Sequence, residues 1–309
     1  MIAFATAITD PNAYRTWAEP GIERAAEHDS LIIPNAPAGS LFRSYNLILD
    51  MVAERDDLEG LILLHQDTEI VDDDVCAKFR AALADPEVGV VGCVGALGVR
   101  SIAWWEGSVT WASFIHRYPE LGGGDLPAFS WMPDELPPYA RVGEVETVDG
   151  FLIGLSPWVV RNLRFDESLG ALHGYDFDFC LQVRETGRTV VTADWHAIHH
   201  HSLQLIGDPE GWIAAHMLVA EKWDGRMPGV GTAGGDWKHR ARRAEAEAAA
   251  ALGQAVSNGL QGTARAVELE RELEVMRNSI GWRLTEPLRR GNYWRRRLRR
   301  ARAGRSVEH

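Results

Sequence analysis

Short apolar runs alternate with amphipathic stretches along the first hundred residues of this 309-residue chain. The apolar runs have the length of buried strands, and the stretches between them carry the helical period of apolar residues. Strand, helix and strand in repeated succession predict a parallel sheet that helices cover on both faces. The predicted strands are residues 2–8, 30–34, 58–67 and 88–95, and the predicted helices are residues 13–28, with an interruption near Pro20, 40–54 and 73–85.

The third predicted strand ends in polar residues that a buried strand does not need. In "LILLHQDTEI" (61–70), four aliphatic residues run directly into His65 and Asp67, with Glu69 two residues further on. Ligands of an open α/β sheet bind beyond the carboxyl ends of the strands, so a ligand is expected near these side chains. The alternative is purely structural, since Asp67 and Thr68 also suit a turn or a helix cap.

Composition argues against several classes of protein. A formal net charge of -12 disfavours a general nucleic-acid binder. The three cysteines are widely spaced and form no CxxC motif, which predicts neither a disulfide framework nor a zinc ribbon and fits a reducing cytoplasm. The N-terminus lacks a basic region and a cleavage site, and no apolar run reaches the roughly 18 residues of a membrane span. We therefore expect a cytoplasmic protein that meets a membrane only at its surface.

Residues 100–148 differ in composition from the residues before them, because Trp, Gly and Pro are mixed there with little periodicity. This stretch predicts a long excursion with room for a hairpin, and loops of this length are usually functional. Its tryptophans can stack on a sugar or a base, or can pack the excursion onto the domain. The tryptophans are Trp104, Trp105, Trp111 and Trp131.

A helix over 176–187 and a strand over 189–202, which ends in three histidines, are predicted after this excursion.

The composition changes again past Trp223, where glycine becomes frequent. Two helices are predicted after this stretch, separated by a Gly-containing turn, and the second has a short apolar seam of Leu273, Met276 and Ile280. Arginines crowd the end of the chain, which leaves the remainder more acidic still. The predicted regions are a main α/β domain over residues 1–225, a linker over 226–240 and a helical extension with a basic amphipathic tail over 241–309.

Acidic residues and histidines gather at the ends of three predicted elements. An oxygen ligand and an imidazole on one divalent ion leave open positions that a diphosphate can fill. A metal held in this way neutralises the charge of a leaving diphosphate. Alternate residues of a strand face opposite ways, so three consecutive histidines cannot all bind one metal. The clusters are His65/Asp67/Glu69, Asp176/Asp178 with His173, and His199/His200/His201.

Together these pieces resemble the family 2 glycosyltransferases with the GT-A fold, and within them a bacterial glycosyltransferase-like group that carries His-Gln-Asp in place of Asp-x-Asp. The resemblance spans nearly all of residues 1–205, in the family's order and spacing. It implies a Rossmann-like, mostly parallel central sheet with helices on both faces, followed here by a C-terminal helical extension. The matching segments are "SYNLILD" (44–50), "LILLHQDTEI" (61–70), "VDGFLIGL" (148–155), "RFDESLGALHGYDFDFCLQVRETGRTVV" (164–191) and "AIHHHS" (197–202).

The resemblance implies a metal-dependent, inverting glycosyltransferase that moves a hexose from a nucleoside-diphosphate sugar onto a glycan, a lipid-linked molecule or a small acceptor. It implies that residues 1–225 form the catalytic domain and that Asp67 binds the metal, Mn²⁺ or Mg²⁺. His65 then occupies the family's first acidic position, where it contacts the ribose or the metal. The histidine expected to complete the metal site is His199, with His201 as the alternative.

The pair Tyr175-Asp176 falls where the family carries Glu-Asp, whose aspartate is the general base. An acceptor hydroxyl must lose its proton as it attacks the anomeric carbon, and a carboxylate within hydrogen-bond reach can accept that proton. We therefore expect Asp176 to be the base, with helix capping as the structural alternative. Asp178 lies two residues further along the helix and is expected to point elsewhere.

The family places the donor nucleotide over the first strands, which favours contacts from residues at their ends. A UDP-sugar is the favoured donor, although Asn35 stands where family members usually carry an acidic residue. Asp149, in "VDGF", is expected near the donor sugar and the acceptor. The full set of expected donor contacts is Thr9, Asp10, Asn35, Asn46, His65, Asp67 and Asp149.

The segment "GWRLTEPLRRGNYWRRRLRRARAG" (281–304) resembles an ending seen on many bacterial sugar transferases. Its arginines and interleaved apolar residues suit an anionic membrane surface, where lipid-linked acceptors reside. The alternatives are a solvated basic end and a contact with the acidic body of a second subunit. We therefore expect a cytoplasmic protein that is peripheral on the inner face of the membrane, and a homodimer through the C-terminal helices.

Three other interpretations compete with this one, because fold alone does not determine function. A sugar nucleotidyltransferase predicts a Gly-rich loop with Arg or Lys after the first strand, and "ATAITDPNAYR" (5–15) lacks it. A non-catalytic carbohydrate- or nucleotide-binding protein can keep the fold, but Asp67, Asp176 and His199 argue against it. A metallohydrolase can use the histidine-rich strand, but the spacing matches no HExxH-type site.

Overall fold

The computed structural model describes residues 1–99, 101–104, 107–111, 113–118, 124–127, 143–200, 207–226 and 236–279. The strands are β1 (Ile2–Ala7), β2 (Leu31–Asn35), β3 (Gly60–Leu64), β4 (Thr68–Ile70), β5 (Val88–Gly92), β6 (Val94–Leu97), β7 (Ser108–Trp111), β8 (Ser113–Tyr118), β9 (Gly124–Pro127), β10 (Gly143–Val145), β11 (Thr147–Val148), β12 (Leu152–Leu155), β13 (Thr189–Thr192) and β14 (His196–His199). The α-helices are α1 (Pro11–Ala13), α2 (Glu19–Ala25), α3 (Leu41–Ala53), α4 (Val75–Leu83), α5 (Pro157–Asn162), α6 (Tyr175–Glu185), α7 (Pro209–Lys222) and α8 (Asp236–Asn278).

The central sheet holds seven strands in the order β10-β13-β5-β12-β3-β1-β2. Strands β1, β2, β3, β5 and β13 run in one direction, and β12 and β10 run against them. All five residues of β3 are buried, as expected for a central strand that is covered on both faces. A mostly parallel sheet with helices around it and a C-terminal helix confirms the predicted α/β, GT-A fold class.

Two glycines set how closely α4 approaches the sheet. A Cβ atom on Gly60 in β3 would lie 2.5 Å from the ring of Phe79 in α4, and one on Gly154 in β12 would lie 2.6 Å from the same ring. Phe79 is fully buried, and its ring meets Trp195 edge-on with centroids 5.6 Å apart. Packing this close tolerates no added methyl group, which explains the two glycines in otherwise aliphatic strands.

A smaller sheet, in the order β4-β14-β8-β9, carries the histidine-rich strand. β14 runs antiparallel to β4, with His199 opposite Thr68 and Ala197 opposite Ile70. Only three residues separate β4 from β3, so this pairing brings the end of β14 to the carboxyl end of the central strand. The third sheet, β11-β6-β7, has three strands.

Three predicted elements differ in detail from the observed ones. Residues 88–95 and 189–202 each divide into two strands that belong to different sheets, with a break at Cys93 in the first and at residues 193–195 in the second. No interruption occurs at Pro20, because a π-helical turn, Tyr14–Ala18, joins α1 to α2. The wider turn changes the hydrogen-bond ladder just before the proline, which has no N–H to donate.

The predicted excursion over 100–148 contains the antiparallel pair of β8 and β9, and its strand β7 pairs antiparallel with β6, which lies before the excursion. Trp104 is partly buried and packs against the core, which agrees with the structural alternative for that residue. Trp105 and Trp131 and the side chain of Trp111 lie outside the described residues, so their predicted roles stay predictions.

The C-terminal region is one helix where two were predicted. α8 runs from Asp236 to Asn278 through Gly259 and Gly262, although glycine inside a helix costs about 1 kcal/mol relative to alanine. Its first part contributes Ala246, Ala249 and Ala250 to the core. Contacts divide the chain into two units, Met1–Asn258 and Gly259–His309. The predicted boundaries at 225 and 240 stay a proposal, and within the described residues no helix combines the length and hydropathy of a membrane span.

Candidate active site

Three potential metal ligands meet where β3 ends. His65 and Asp67 lie in the short segment between β3 and β4, and His199 is the last residue of β14. The N–H of His65 donates to the carbonyl oxygen of Phe151 (2.8 Å), and the N–H of His200 donates to the carbonyl oxygen of Asp67 (2.8 Å). The segment is therefore held by two sheets, which limits how far its side chains can move.

The side chains of His65, Asp67 and His199 form one group. One potential ligand atom from each lies within 4.8 Å of those of the other two. Nε2 of His199 lies 3.5 Å from Oδ1 of Asp67, and the centroids of the two imidazole rings are 5.8 Å apart. The His199 ring is buried and stacks on Phe151, with centroids 4.6 Å apart. This group could hold a metal ion.

The environment of His65 favours its neutral form. Desolvation lowers the pKa of His65 below its ordinary value; the charge of Asp67 opposes this shift and His199 adds to it. Neutral imidazole is the form that binds metals. Nε2 of His65 lies 2.7 Å from the hydroxyl oxygen of Tyr175. A partner on one ring nitrogen fixes the orientation of a metal-binding histidine, so this contact leaves Nδ1 for a metal.

Gly150 makes room for the contact between Tyr175 and His65. A Cβ atom at Gly150 would overlap the ring and the hydroxyl of Tyr175, so alanine cannot stand there unless the ring moves. The ring is also enclosed by Phe42 and Tyr45, which meet it edge-on with centroids 6.1 Å and 5.6 Å away. No role was predicted for Tyr175 from the sequence, where the glycine of "VDGF" is a signal for it because it marks a close approach.

The chemistry of this group fits a divalent cation. Two imidazoles and one carboxylate suit a first-row transition metal such as Mn²⁺ better than Mg²⁺, which prefers oxygen ligands. Three side-chain ligands leave coordination positions for other groups, including phosphate oxygens. The residues present therefore fit the predicted metal site, with His65 added to the expected Asp67 and His199.

The next histidine along the chain faces the other way. Nε2 of His200 lies 2.8 Å from Oε2 of Glu69, and the ring stacks on Trp17 with centroids 3.5 Å apart. The side chain of His200 is only 5% exposed. The alternation predicted for three consecutive histidines thus separates His200 from the metal-ligand group. His201, the alternative metal ligand, lies outside the described residues.

A cleft of about 330 Å³ opens beside His65 and Asp67. Its walls also include Thr9, which follows β1, and Gly39 and Ser44 around the start of α3. Gly39 has a φ of 89°, a left-handed conformation that favours glycine. The cleft therefore lies beyond the carboxyl ends of parallel strands, where a ligand of an α/β sheet is expected.

Gln66, for which no role was predicted from the sequence, ties the loop after β1 to the end of β3. Its Oε1 accepts hydrogen bonds from the backbone N–H groups of Thr9 (2.8 Å) and Asp10 (2.7 Å). Its Nε2 donates to the hydroxyl of Thr9 (3.0 Å). Gln66 and Thr9 both line the cleft, so one amide side chain fixes part of the wall that the donor is expected to contact.

The other expected donor contacts have different placements. The carboxylate of Asp10 caps α1 by accepting from the N–H groups of Asn12 and Ala13. Asn35, at the end of β2, donates to the carbonyl oxygen of Ser44 at 3.4 Å. Asn46 lies in α3, and its side-chain amide makes three hydrogen bonds. It donates to the carbonyl oxygen of Phe165 (2.9 Å) and accepts from its N–H (2.8 Å), and it also donates to Glu167 (3.0 Å).

The expected base, Asp176, lies in the first turn of α6 next to Asp149. Its carboxylate accepts from the N–H of Gly150 (3.0 Å) and from that of Phe177 (2.8 Å). Desolvation, followed by the like charge of Asp149, raises the pKa of Asp176 to about 7. A carboxylate with a pKa near neutrality is suited to accept a proton at physiological pH. The carboxylate of Asp149 itself accepts from the N–H of Phe151 (3.0 Å).

Asp178 points elsewhere, as expected from its position two residues further on. It is almost fully buried, and it accepts hydrogen bonds from Lys222 and from the indole N–H of Trp223 (2.7 Å). Lys222 also pairs with Asp166 at 2.7 Å. This network ties α7 to α6, so we assign Asp178 a role in stability.

Comparison with known proteins gives one match to a family and several weaker similarities. Residues 21–206 match the glycosyltransferase-like family. The streptomycin biosynthesis protein StrF of Streptomyces griseus is 27% identical over 209 residues, which are 65% of this chain and 67% of StrF.

Solved structures resemble the chain more distantly. A mannosyltransferase of Pyrobaculum calidifontis, PcManGT, in complex with GDP-Man and Mn²⁺, has a TM-score of 0.43 and 14% identity, and the match covers 92% of this chain and 81% of that one. GalNAc-T7 with UDP, GalNAc and Mn²⁺ has a TM-score of 0.47 and 9% identity, and covers 72% and 48%. The family match spans more than half of the sequence, and the chain therefore belongs to the glycosyltransferase-like family.

Proposed function

We propose that this chain is a metal-dependent, inverting glycosyltransferase that moves a hexose from a nucleoside-diphosphate sugar, with UDP as the favoured nucleotide, onto a glycan, a lipid-linked molecule or a small acceptor. The observation that carries the proposal is the group of His65, Asp67 and His199, of which His65 and Asp67 line a cleft beyond the carboxyl ends of parallel strands. Membership of the glycosyltransferase-like family supports the same class of reaction.

His65, Asp67 and His199 would hold the metal, and their mixed donor set favours Mn²⁺ over Mg²⁺. A bound cation supplies positive charge that offsets the charge of the leaving diphosphate. Tyr175 holds His65 in place through the 2.7 Å contact with Nε2. Gln66 holds the loop that carries Thr9 against the cleft.

Asp176 is the proposed base. It accepts the proton of an acceptor hydroxyl while the oxygen forms its bond to the anomeric carbon and the bond from that carbon to the diphosphate breaks. The electron pair of the broken bond leaves with the nucleoside diphosphate. Attack from the face opposite the leaving group inverts the anomeric centre. The pKa of Asp176, raised to about 7, supports a base that is partly ionised near neutrality.

The test of this proposal separates binding from transfer. A panel of nucleoside-diphosphate sugars is titrated calorimetrically into the protein with Mn²⁺ and again with chelator, and transfer is followed as release of free sugar with water as the acceptor. Asp176→Asn is expected to keep the donor affinity and to lower turnover by about 10²- to 10⁴-fold. Asp50→Asn, an exposed aspartate of α3, serves as the control.

Two outcomes would contradict the proposal. The wild-type protein could bind a donor and yet turn over no member of the panel with any acceptor. That result would favour the non-catalytic binding protein. Synthesis of a sugar nucleotide from a nucleoside triphosphate and a sugar phosphate would favour the nucleotidyltransferase.

We also propose that the basic tail brings the protein to an anionic membrane surface from the cytoplasmic side, since lipid-linked acceptors reside there. The tail lies outside the described residues, and its sequence alone supports this. Co-sedimentation with vesicles that contain anionic lipid should require low ionic strength and should be lost when the chain ends at residue 280. Binding to neutral vesicles with equal affinity would contradict an electrostatic contact.

A further inference from the structure

The second unit of the chain contains the exposed end of α8. Leu269, Leu273 and Met276 are 42%, 43% and 46% exposed, and Ala266 is exposed as well. Their spacing of three, four and three residues is that of alternating a and d positions in a heptad repeat. We call these four residues the α8 seam. Ile280 stands at the next a position in the sequence and lies outside the described residues.

Nothing in the described part of this unit covers the α8 seam. Every side chain described between Gly259 and Asn278 is exposed, so this length of helix buries no apolar face among the described residues of its unit. Helix stability in proteins comes mainly from packing of an amphipathic face. A helix end with an uncovered apolar stripe therefore indicates a partner that supplies the missing packing.

The charges that flank the α8 seam identify that partner. Arg265 and Glu272 occupy g positions, and Glu270 and Arg277 occupy e positions. In a parallel, in-register pair of helices, each g residue faces the e residue five positions further along the other helix. Arg265 then meets Glu270 of a second copy, and Glu272 meets Arg277 of that copy, so each pair of facing charges is opposite in sign.

An antiparallel pair of the same helices lacks this complementarity. Consider an antiparallel pair in which the seams of the two copies overlap over residues 266–276. Glu272 then faces Glu272 of the second copy, and Glu270 faces Glu270 of the second copy. Like charges across a coiled coil oppose association, and opposite charges set partner choice and orientation. The four charged residues therefore favour the parallel arrangement over this antiparallel one.

We propose that two copies of this chain associate through the α8 seam as a parallel, in-register two-stranded coiled coil. The seam covers about two heptads of the described helix, so the association is weak and depends on protein concentration. In such a dimer the chain beyond residue 278 leaves both copies at the same end of the coiled coil. This arrangement sharpens the homodimer expected from the sequence, and it does not depend on the proposed enzymatic activity.

Sedimentation velocity of the full-length chain over a hundredfold range of concentration tests the interface. We expect the wild-type protein to shift from monomer to dimer and Leu273→Asp to stay monomeric throughout. Val275→Asp is the matched control, because Val275 is 69% exposed and occupies a c position outside the α8 seam. A wild-type protein that stays monomeric, or a Leu273→Asp variant that still dimerises, would overturn the proposal.

Charge reversal tests the register. Glu272→Arg should weaken the dimer, because a positive charge at position 272 would then face the positive charge of Arg277 in the other copy. The double variant Glu272→Arg/Arg277→Glu should restore dimerisation, since the pair is reversed as a whole. A double variant that is weaker than the single one would overturn the in-register pairing.

Cysteine cross-linking tests the orientation. The three native cysteines, Cys76, Cys93 and Cys180, are buried and leave the background low. In a parallel pair, Leu273→Cys sets two a-position sulfurs opposite each other, so mild oxidation should give a covalent dimer, whereas Val275→Cys should not. A dimeric protein whose Leu273→Cys variant does not cross-link would contradict the parallel orientation.

Discussion

The two faces of the β4/β14 ladder use the same residue types for different purposes. On the cleft face, His199 lies near Asp67 and His65 in a group that could hold a metal. On the opposite face, His200 pairs with Glu69 and is covered by Trp17. Each face thus combines a histidine with a carboxylate, and neighbouring histidines belong to different faces because side chains alternate along a strand.

The surroundings of each pair account for the difference. The cleft group has a third potential ligand and opens onto a cavity of about 330 Å³. The pair of Glu69 and His200 is covered by the ring of Trp17, and no third potential metal ligand joins it among the residues described. A histidine and a carboxylate in contact therefore indicate a functional site only where a third ligand and open space accompany them.

Separate replacement of His199 and His200 by alanine tests this comparison and has the largest expected effect. His199→Ala should weaken Mn²⁺ binding by at least about 100-fold, since loss of a ligand should exceed the 10- to 100-fold cost of losing a second-shell partner. His200→Ala should leave Mn²⁺ affinity nearly unchanged but lower the free energy of unfolding by about 1–3 kcal/mol. Metal titration and urea denaturation of both variants provide the two measurements.

The control for this pair is His196→Ala, on the same strand. Its side chain is 45% exposed, and its Nε2 lies 3.4 Å from Oδ1 of Asp194. Neither metal affinity nor stability should change appreciably, because exposed ion pairs contribute little. Equal loss of metal affinity in His199→Ala and His200→Ala would remove the distinction between the two faces.

Tyr175→Phe tests how much the metal-ligand group on the cleft face depends on a hydrogen-bond partner of His65. The substitution removes the hydroxyl that contacts Nε2 of His65 but keeps the ring that fills the space beside Gly150. Metal affinity should fall by about 10- to 100-fold while stability changes little, since second-shell partners orient metal ligands. Unchanged metal affinity in a folded Tyr175→Phe variant would argue that His65 needs no support from Tyr175.

Gln66→Leu probes the wall of the cleft with a smaller expected effect. The variant loses two hydrogen bonds from backbone N–H groups of Thr9 and Asp10, which are exposed and can turn to water. We expect the KM for the donor sugar to rise roughly tenfold with kcat nearly constant, since the loop is loosened while the proposed base is untouched. Thr9→Val, which keeps both backbone hydrogen bonds, should have a smaller effect. A fall in kcat alone would contradict a role in donor binding.

Asp149→Asn should give the smallest effect, a change in pH dependence. The like charge of Asp149 is the second cause, after desolvation, of the raised pKa of Asp176. Removing that charge makes ionisation of Asp176 easier, so the acidic limb of the kcat/KM profile should move from near pH 7 to lower pH. The pH profile of donor hydrolysis measures this shift. A shift to higher pH would contradict the assignment of that limb to Asp176.

Much of the fold follows from local pattern. Apolar runs at the right spacing predict β1, β2, β3 and β5, and the polar residues after β3 predict the place of the cleft, because such signals are local and periodic. The break at Cys93 was not predicted, since tertiary packing decides where a strand changes sheets. The uninterrupted path of α8 through Gly259 and Gly262 was not predicted either, because glycine inside a helix costs only about 1 kcal/mol and need not end it. Local pattern cannot tell whether a strand changes sheets or a helix tolerates glycine.

The site was predictable only where chemistry is visible in residue type. Carboxylates and histidines at strand ends pointed to His65, Asp67 and His199, which the structure brings together. Gln66 and Tyr175 were missed because they act through hydrogen bonds to partners 57 and 110 residues away. The amide of Asn46, a predicted donor contact, is engaged with the backbone of Phe165, and its contact with the donor stays a prediction.

A count of bound Mn²⁺ by electron paramagnetic resonance tests the proposed metal site most directly, because the signal of free Mn²⁺ falls as the ion is bound. Mn²⁺ is titrated into the wild-type protein, Asp67→Ala and His196→Ala, each with UDP and with GDP. We predict one bound ion per chain for the wild type and His196→Ala, and almost none for Asp67→Ala. An Asp67→Ala variant that binds Mn²⁺ as the wild type does would contradict a metal site formed by His65, Asp67 and His199.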